Sequence, residues 1–222
     1  MMNLRVENLS LSFAERSLFK ELSFSFEKQK VYRLLGASGV GKSTFLRCLN
    51  RVQIVDEGLS FLEGGEGLSM MEFRSKVLYF PQQAKISLPT VREELLYPFS
   101  LKLYQGESLP SDDLLNELLA KLGLAYLKLS QSTVAMSPGE QQRLSFLRLF
   151  LLHPDYLLLD EPFSAVDEAN AKQMWDLLLA EQEKKGFSVI FIQHQSYSWM
   201  KADNYVELKL LNGKLLVEDR DK

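Results

Sequence analysis

The segment 36–43 combines glycines, a lysine and a hydroxyl residue at a spacing that suits phosphate binding. It reads GASGVGKS, fits the pattern G-x-x-x-x-G-K-[ST], and lies between an apolar strand and a helix, the context that this pattern requires. Its glycines let backbone N–H groups surround phosphate oxygens, while Lys42 reaches the β- and γ-phosphates and the Ser43 hydroxyl binds Mg²⁺. The predicted phosphate-binding residues are Gly36, Ala37, Ser38, Gly39, Val40, Gly41, Lys42, Ser43 and Thr44.

Two adjacent carboxylates, Asp160 and Glu161, follow a second apolar strand at 156–159. Parallel strands end at one edge of a sheet, so we expect these carboxylates beside the phosphate loop. There Asp160 would hold Mg²⁺ through water, and Glu161 would accept a proton from the attacking water as a general base. An Asp-Glu pair after a strand is also typical of a solvated turn, but the nearby phosphate loop favours the catalytic interpretation.

A third segment, AMSPGEQQR at 135–143, carries the signals of a helix start. Ser137 followed three residues later by Glu140 predicts a capping box, and Pro138 suits the first helical position. The first N–H groups of a helix also form an anion site. Ser137 and Gly139 therefore belong either to a structural cap or to a phosphate site.

These motifs fall on alternating strands and helices. The predicted strands lie within 3–13 and 22–35, at 77–80, 156–159 and 188–193, and as a final pair around the Asn212-Gly213 turn. The predicted helices span 42–50 and 170–185, residues 88–153 are largely helical, and the glycine-rich stretch 56–67 is interpreted as turns between short strands. This alternation indicates an α/β fold whose parallel sheet carries helices on its faces.

Composition limits the class of partner and the cellular compartment. The 222-residue chain has 26 Lys and Arg against 29 Asp and Glu, a net charge of −3, so no nucleic-acid partner is expected. The single cysteine, Cys48, is interpreted as a small buried hydrophobe rather than a reactive thiol. No signal peptide begins the sequence, and no apolar run approaches the roughly 18 residues of a membrane span. We therefore expect a cytoplasmic location, with any membrane role supplied by a partner.

Six motifs occur in the order found in ATP-binding-cassette ATPases: GASGVGKST, FPQQ, MSPGEQQR, LLLDEP, SAVD and the histidine after VIFIQ. The sequence resembles this family over essentially its whole length. The resemblance implies a P-loop NTPase core of the RecA type, with an antiparallel β subdomain and an inserted helical subdomain, which binds and hydrolyses ATP with Mg²⁺. The single domain, 1–222, would divide into a nucleotide-binding core, 1–87 and 154–222, and a helical subdomain, 88–153, that includes the signature.

The resemblance also implies roles for residues outside the phosphate loop. Gln82 would be the Q-loop residue that touches Mg²⁺, Asp167 would end the D-loop SAVD at the nucleotide site, and His194 would contact the γ-phosphate. Phe13 lies where the family places an aromatic residue that stacks on adenine. The alternative for Phe13 is a core position in an early strand.

MSPGEQQR resembles the family signature, usually written LSGGQ, which binds the γ-phosphate of ATP held by a second copy of the protein. In this interpretation Ser137 and the N–H of Gly139 close over that phosphate, so the helix cap and the functional site are the same atoms. Pro138 departs from the usual glycine and removes one backbone N–H donor.

The resemblance implies the ATPase subunit of a membrane transporter, peripheral at the inner face of the membrane. ATP would hold a homodimer together, and hydrolysis would drive separate transmembrane permease subunits. The segment 88–99 is either a groove for a permease helix or buried within the helical lobe, and it is loosely similar to FetA-type iron-export ATPase subunits. The alternative is a soluble non-transport cassette ATPase of the iron–sulfur assembly or cell-division type, whereas a small-molecule kinase would have no use for MSPGEQQR or SAVD.

Overall fold

The structure, a computed structural model, describes residues 2–13, 16–104, 106–201, 203 and 205–218. Within these ranges it has nine strands, six α-helices and two 3₁₀ helices. The strands are β1 (Leu4–Phe13), β2 (Arg16–Phe26), β3 (Val31–Leu35), β4 (Glu57–Leu62), β5 (Val77–Phe80), β6 (Tyr156–Asp160), β7 (Ser188–Ile192), β8 (Val206–Leu211) and β9 (Lys214–Val217). The α-helices are α1 (Lys42–Leu49), α2 (Met70–Lys76), α3 (Val91–Leu96), α4 (Asp112–Lys121), α5 (Pro138–Leu151) and α6 (Glu168–Lys185), and the 3₁₀ helices are Tyr97–Ser100 and Lys102–Tyr104.

The chain forms two compact units. The sheet unit comprises Met1–Phe80, Pro154–Glu161 and Gly186–Lys222, and the helical unit comprises Pro81–His153 and Pro162–Lys185. The single-domain organisation described above, with its core and helical subdomain, stays a prediction.

Two sheets make up most of the sheet unit. Six strands form one sheet in the order β5-β6-β7-β3-β8-β9. The first five strands in this order are parallel to one another, and β9 is antiparallel to β8. A second, antiparallel sheet has the order β2-β1-β4. The predicted α/β fold, with a parallel sheet and an antiparallel β subdomain, is confirmed. Because β3, β6 and β7 are parallel, their carboxyl ends meet at one edge, where the predicted functional residues begin.

The core of the sheet unit surrounds its central strands. Every residue of β6 and β7 is buried, as expected of interior strands in a parallel sheet. Helix α1 packs against β4, β5 and β6 and buries Phe45, Leu46 and Leu49. The phosphate loop that precedes this helix is therefore attached to a rigid element.

The helical unit is built around α5, which contacts α3 and α4. In the segment 88–99, Val91, Leu95 and Phe99 are buried, whereas Tyr97 is 45% exposed. Most of the apolar residues in this segment thus belong to the core of the helical unit, and few of them are exposed to form a groove for a permease helix. Among the described residues, none of the helices combines the length and the hydropathy that a membrane span requires.

The predicted elements agree with the structure except in two regions. The short strands predicted within 22–35 are β2 and β3, but β2 begins earlier, at Arg16, and a turn at residues 28–29 separates the two. The stretch 56–67, interpreted as turns between short strands, contains β4 at Glu57–Leu62. Helix α2 was not predicted, although Ser69 and Glu72 form a capping box at its start. The short helix follows several glycines, which favoured turns in that part of the sequence.

Candidate functional site

The predicted phosphate loop connects β3 to α1 at the carboxyl edge of the six-stranded sheet. Gly41 has a φ of 105° immediately before the helix, a left-handed conformation that strains residues with a Cβ atom. At Gly36, which has a φ of 152°, a Cβ atom would lie 2.9 Å from the carbonyl oxygen of Leu210. The loop therefore needs glycine at both ends to keep its shape.

Lys42 is 6% exposed, and its ammonium group lies inside the phosphate loop. Nζ donates hydrogen bonds to the carbonyl oxygens of Gly36 at 2.9 Å and Ala37 at 3.0 Å. Burial lowers the pKa of Lys42, while the negative charges of Glu161 and Asp160 oppose that shift. A cation held on carbonyl oxygens within a loop is well placed to exchange those weak partners for phosphate oxygens.

Asp160 lies at the end of β6 and is 3% exposed. Its Oδ1 accepts a hydrogen bond from the Ser43 hydroxyl, and its Oδ2 accepts one from the Tyr79 hydroxyl, both at 2.9 Å. Burial and the neighbouring carboxylate raise the pKa of Tyr79, so this phenol stays protonated and donates. Tyr79 was not predicted, since a tyrosine in an apolar strand resembles any other core residue.

Glu161 follows Asp160 and turns sharply away from the strand, with a φ of 47°. Its N–H donates to the carbonyl oxygen of Ile192 at 3.0 Å, and its Oε1 lies 3.4 Å from Nε2 of His194. The Glu161 side chain is 22% exposed and that of His194 51%. The predicted general base and the predicted γ-phosphate ligand thus meet at the surface of the sheet unit.

One cleft of about 340 Å³ joins these residues, with Phe13, Lys42, Glu161 and His194 in its lining. Phe13 is 50% exposed, so its interpretation as a core residue is wrong and its ring is available to a ligand. Arg16, which was not predicted, donates from its guanidinium to the carbonyl oxygen of Gly39 at 3.1 Å. The cleft therefore offers an aromatic face, the Lys42 ammonium, a carboxylate and an imidazole beside the phosphate loop.

The remaining predicted residues belong to the helical unit. Ser137 is the N-cap of α5, and its hydroxyl oxygen accepts a hydrogen bond from the N–H of Glu140 at 3.3 Å. In return, Oε2 of Glu140 accepts a hydrogen bond from the N–H of Ser137 at 2.7 Å and another from the Ser137 hydroxyl at 2.6 Å. Glu140 also accepts a hydrogen bond from the hydroxyl of Tyr126. The bonds from Ser137 and Tyr126 lower the pKa of Glu140. The predicted capping box is confirmed.

Gln82 is exposed, and its main chain is tied to two other predicted segments. Its carbonyl oxygen accepts from the side-chain amide of Gln142 at 3.4 Å and from the Ser164 hydroxyl at 3.5 Å. Gln82, Pro138 and Ser164 line one cleft of about 450 Å³ within the helical unit. This arrangement brings the predicted Q-loop, signature and D-loop together. Gln142 is 2% exposed and was not predicted, although it lies within the signature motif.

The start of α5 is also connected to Asp167. The Arg143 guanidinium donates to Oδ1 of Asn170 at 2.6 Å, and the Asn170 side chain donates to Asp167 at 2.7 Å. A Cβ atom at Gly139 would lie 3.1 Å from the carbonyl oxygen of Ala165, so the two segments approach closely. Gly139 therefore has a packing reason to be glycine, whatever it binds.

Cys48 is a buried free cysteine. It is 3% exposed on α1, and burial raises the pKa of its thiol to about 12. The prediction that it is a buried hydrophobe is confirmed.

Comparison with known proteins identifies the family. The family model described as "ABC transporter" matches residues 19–164. The chain belongs to the ABC transporter family. The phosphate import ATP-binding protein PstB 2 of Bacillus licheniformis is 30% identical, over 98% of this chain and 82% of that protein. The probable sulfate/thiosulfate import ATP-binding protein CysA of Chlorella vulgaris is 31% identical, over 97% of this chain and 90% of that protein.

Two solved structures share the fold. One, titled "Structure of ATP binding subunit of ABC transporter", superposes with a TM-score of 0.82 over 100% of this chain and 91% of that chain, at 21% identity. The other, a bacterial Atm1-family ABC exporter with ATP bound, has a TM-score of 0.78 over 97% of this chain and 38% of that chain, at 22% identity. With the family established, this ABC protein is an ATP-binding subunit and an ATPase.

Proposed function

We propose that this ABC ATPase works as a homodimer, peripheral at the cytoplasmic face of the membrane, and drives separate membrane-spanning permease subunits. The observation that carries its ATPase part is the cleft that Lys42, Glu161 and His194 line together with other residues of the phosphate loop. Relatives that are about 30% identical are named as import ATP-binding proteins, which supports transport rather than iron–sulfur assembly or cell division.

The phosphate loop would bind ATP through its backbone N–H groups, with the Lys42 ammonium on the β- and γ-phosphates and Phe13 against the adenine. Water then attacks the γ-phosphorus, and the bond between that phosphorus and the β–γ bridging oxygen breaks. Glu161 accepts the proton of the attacking water, so inorganic phosphate and ADP leave. His194 would contact the γ-phosphate and, 3.4 Å from Glu161, would orient that carboxylate.

Two residues, one at the start of α1 and one at the end of β6, fit a magnesium ion. Ser43 and Asp160 present oxygen atoms 2.9 Å apart, and oxygen ligands are those that Mg²⁺ prefers. Ser43 would bind the ion directly and Asp160 through water. When bound, Mg²⁺ neutralises charge on the β- and γ-phosphates.

The second copy would complete each site. Ser137 and the N–H of Gly139 lie at the start of α5, where the unpaired N–H groups and the helix dipole attract an anion. The γ-phosphate held by the other subunit is the proposed anion, and Asp167 would lie at the same interface. To bind that phosphate, the Ser137 hydroxyl has to leave Glu140, to which it donates at 2.6 Å.

A pull-down from membranes tests the transport proposal. The tagged protein is purified from detergent-solubilised membranes, with the Glu161→Gln variant and ATP used to hold dimers closed. We expect a multi-spanning membrane protein to copurify in stoichiometric amount. Recovery of the ATPase without any membrane-spanning protein, from cells that express it at natural levels, would favour the non-transport alternative.

A further inference from the structure

Arg33 is a buried cation that none of the functions above uses. It occupies the middle of β3, where Val31, Tyr32 and Leu34 are also buried, and it is 6% exposed. Removing a guanidinium from water is costly unless the group is paired and hydrogen-bonded. The contacts that Arg33 makes should therefore explain why a charge lies in an interior strand.

The guanidinium of Arg33 holds the segment that follows β7. Nη2 donates to the carbonyl oxygen of Gln193 and to the hydroxyl of Ser196, both at 3.1 Å. These two residues lie on either side of His194. A single nitrogen thus ties together both ends of the turn that carries the histidine.

Strand β8 and the residue before it, Tyr205, hold the arginine from the opposite side. Nη1 lies 3.5 Å from a carboxylate oxygen of Glu207 and donates to the Tyr205 hydroxyl at 3.4 Å, while the guanidinium lies 5.8 Å from the centre of the Tyr205 ring. Arg33 and Glu207 are also partners in the β3–β8 ladder. The planar guanidinium is therefore fixed in orientation, and its donors to Gln193 and Ser196 are fixed with it.

The turn is held from the other neighbouring strand as well. The N–H of Glu161, at the end of β6, donates to the carbonyl oxygen of Ile192, the residue before Gln193. Consecutive carbonyl groups of an extended strand point to opposite neighbours, so Ile192 is held from β6 and Gln193 from β3. His194 leaves the sheet between these two supports, with Nε2 3.4 Å from Glu161.

We infer that Arg33 is a positioning residue for ATP hydrolysis, which holds His194 in place through Gln193 and Ser196. The inference rests on the role proposed above for His194. Because β3 also leads into the phosphate loop, the same strand sets the place of the bound phosphates and of the histidine that would contact them. A displacement of about 1 Å in such a group is enough to slow a reaction substantially.

The test replaces Arg33 by methionine, which keeps the length of the side chain and removes its donors. In the purified protein we expect Arg33→Met to lower kcat for ATP about tenfold and to change KM less than about twofold, since ATP binding depends on other residues. Hydrogen exchange should become faster in peptides that cover 193–198. Arg5→Met, which removes a partly exposed arginine of β1, is the matched control and should leave both constants unchanged.

A double-mutant cycle separates positioning from general damage. If Arg33 acts through His194, adding Arg33→Met to His194→Ala should lower kcat no further. An equal additional loss in the double variant would overturn the inference, as would a wild-type kcat in Arg33→Met. A wild-type kcat in His194→Ala would instead remove the role of the histidine itself, so the two failures are distinguishable.

Ser196→Ala provides a second variant in case Arg33→Met fails to fold. Ser196 is exposed, so its loss should not disturb folding, and it removes only one acceptor of Arg33. We expect kcat to fall about two- to threefold, and we expect this effect to vanish in the His194→Ala background. An unchanged kcat in a folded Ser196→Ala variant would overturn the proposal.

Discussion

The Tyr79 hydroxyl donates to one carboxylate oxygen of Asp160 while the Ser43 hydroxyl donates to the other, each at 2.9 Å. A carboxylate held at both oxygens cannot rotate freely, so its orientation toward Ser43 is determined in part from β5. Groups that hydrogen-bond to metal ligands commonly tune metal affinity in this way. Tyr79 therefore contributes to the proposed magnesium site without touching the ion.

Tyr79→Phe should weaken the response to Mg²⁺. We expect about tenfold more Mg²⁺ for half-maximal hydrolysis, and a smaller gain in nucleotide affinity on adding Mg²⁺, because Asp160 loses one fixed donor. Binding of a fluorescent nucleotide, with and without Mg²⁺, measures the second effect independently of turnover. Tyr32→Phe, which removes a hydroxyl elsewhere in the same sheet, is the control. An unchanged Mg²⁺ dependence would mean that Tyr79 is structural only.

Glu161→Gln should retain ATP binding and lose turnover. The amide keeps the shape of the side chain but cannot take the proton of the attacking water, so we expect hydrolysis to fall by about 10²- to 10⁴-fold. ATP should then accumulate a dimer that size-exclusion chromatography detects. Glu57→Gln, at an exposed position of β4, serves as the control. Near-normal hydrolysis in Glu161→Gln would place the base elsewhere.

The structural features that could be predicted from the sequence depend on residues that lie close together along the chain. The phosphate loop and the Ser137 cap depend on residues within about eight positions, so their geometry follows from local conformational preferences. Arg33, Tyr79 and Gln142 act through partners that the fold brings from distant segments. Their residue types alone do not indicate those partners. Only the three-dimensional fold reveals which groups they hold.

Phe13 also shows a limit of prediction from the sequence, in this case for an exposed residue. An aromatic residue in an alternating strand predicts a core position as readily as a binding position, because the pattern cannot tell which face of the strand is covered. The fold decides, since Phe13 is the last residue of β1 and half of its surface is exposed beside the phosphate loop.

Lys42→Ala should lower nucleotide affinity itself. The ammonium is the charge that faces the β- and γ-phosphates in the proposed complex, and charge-assisted bonds are the strong ones. We expect Kd for labelled ATP to rise at least about tenfold, corresponding to about 1.4 kcal/mol. Lys20→Ala, at an exposed position of β2, is the control. Unchanged equilibrium binding would contradict the role of Lys42.

Cys48 should make stability depend on alkaline pH. An unfolded thiol has a pKa near 8.5, whereas burial raises the pKa of Cys48 to about 12 in the folded protein. The stabilisation is thus complete below pH 8.5 and is lost as pH rises toward 12. Between pH 8 and 9.5 the free energy of unfolding should fall by about 1 kcal/mol from this group. Denaturant titration should show that Cys48→Ala lacks this component, and a thiol reagent should label Cys48 only in denaturant.

The proposed dimer makes a prediction about two different defects in two subunits. If the signature of one copy completes the phosphate site of the other, Lys42→Ala and Ser137→Arg damage the same composite site from opposite sides. Each homodimer then has two defective sites. In a mixed dimer, however, one site carries both lesions and the other carries neither.

A mixture of the Lys42→Ala and Ser137→Arg proteins should therefore hydrolyse ATP although each alone does not. At equal amounts and random pairing about half of the dimers are mixed, each with one intact site, so activity should approach about a quarter of the wild-type value if sites act independently. A mixture of Lys42→Ala with Glu161→Gln is the control, because these two lesions leave no intact site in any dimer. If mixed dimers form but the first mixture stays inactive, Ser137 does not act across the interface and remains only the cap of α5.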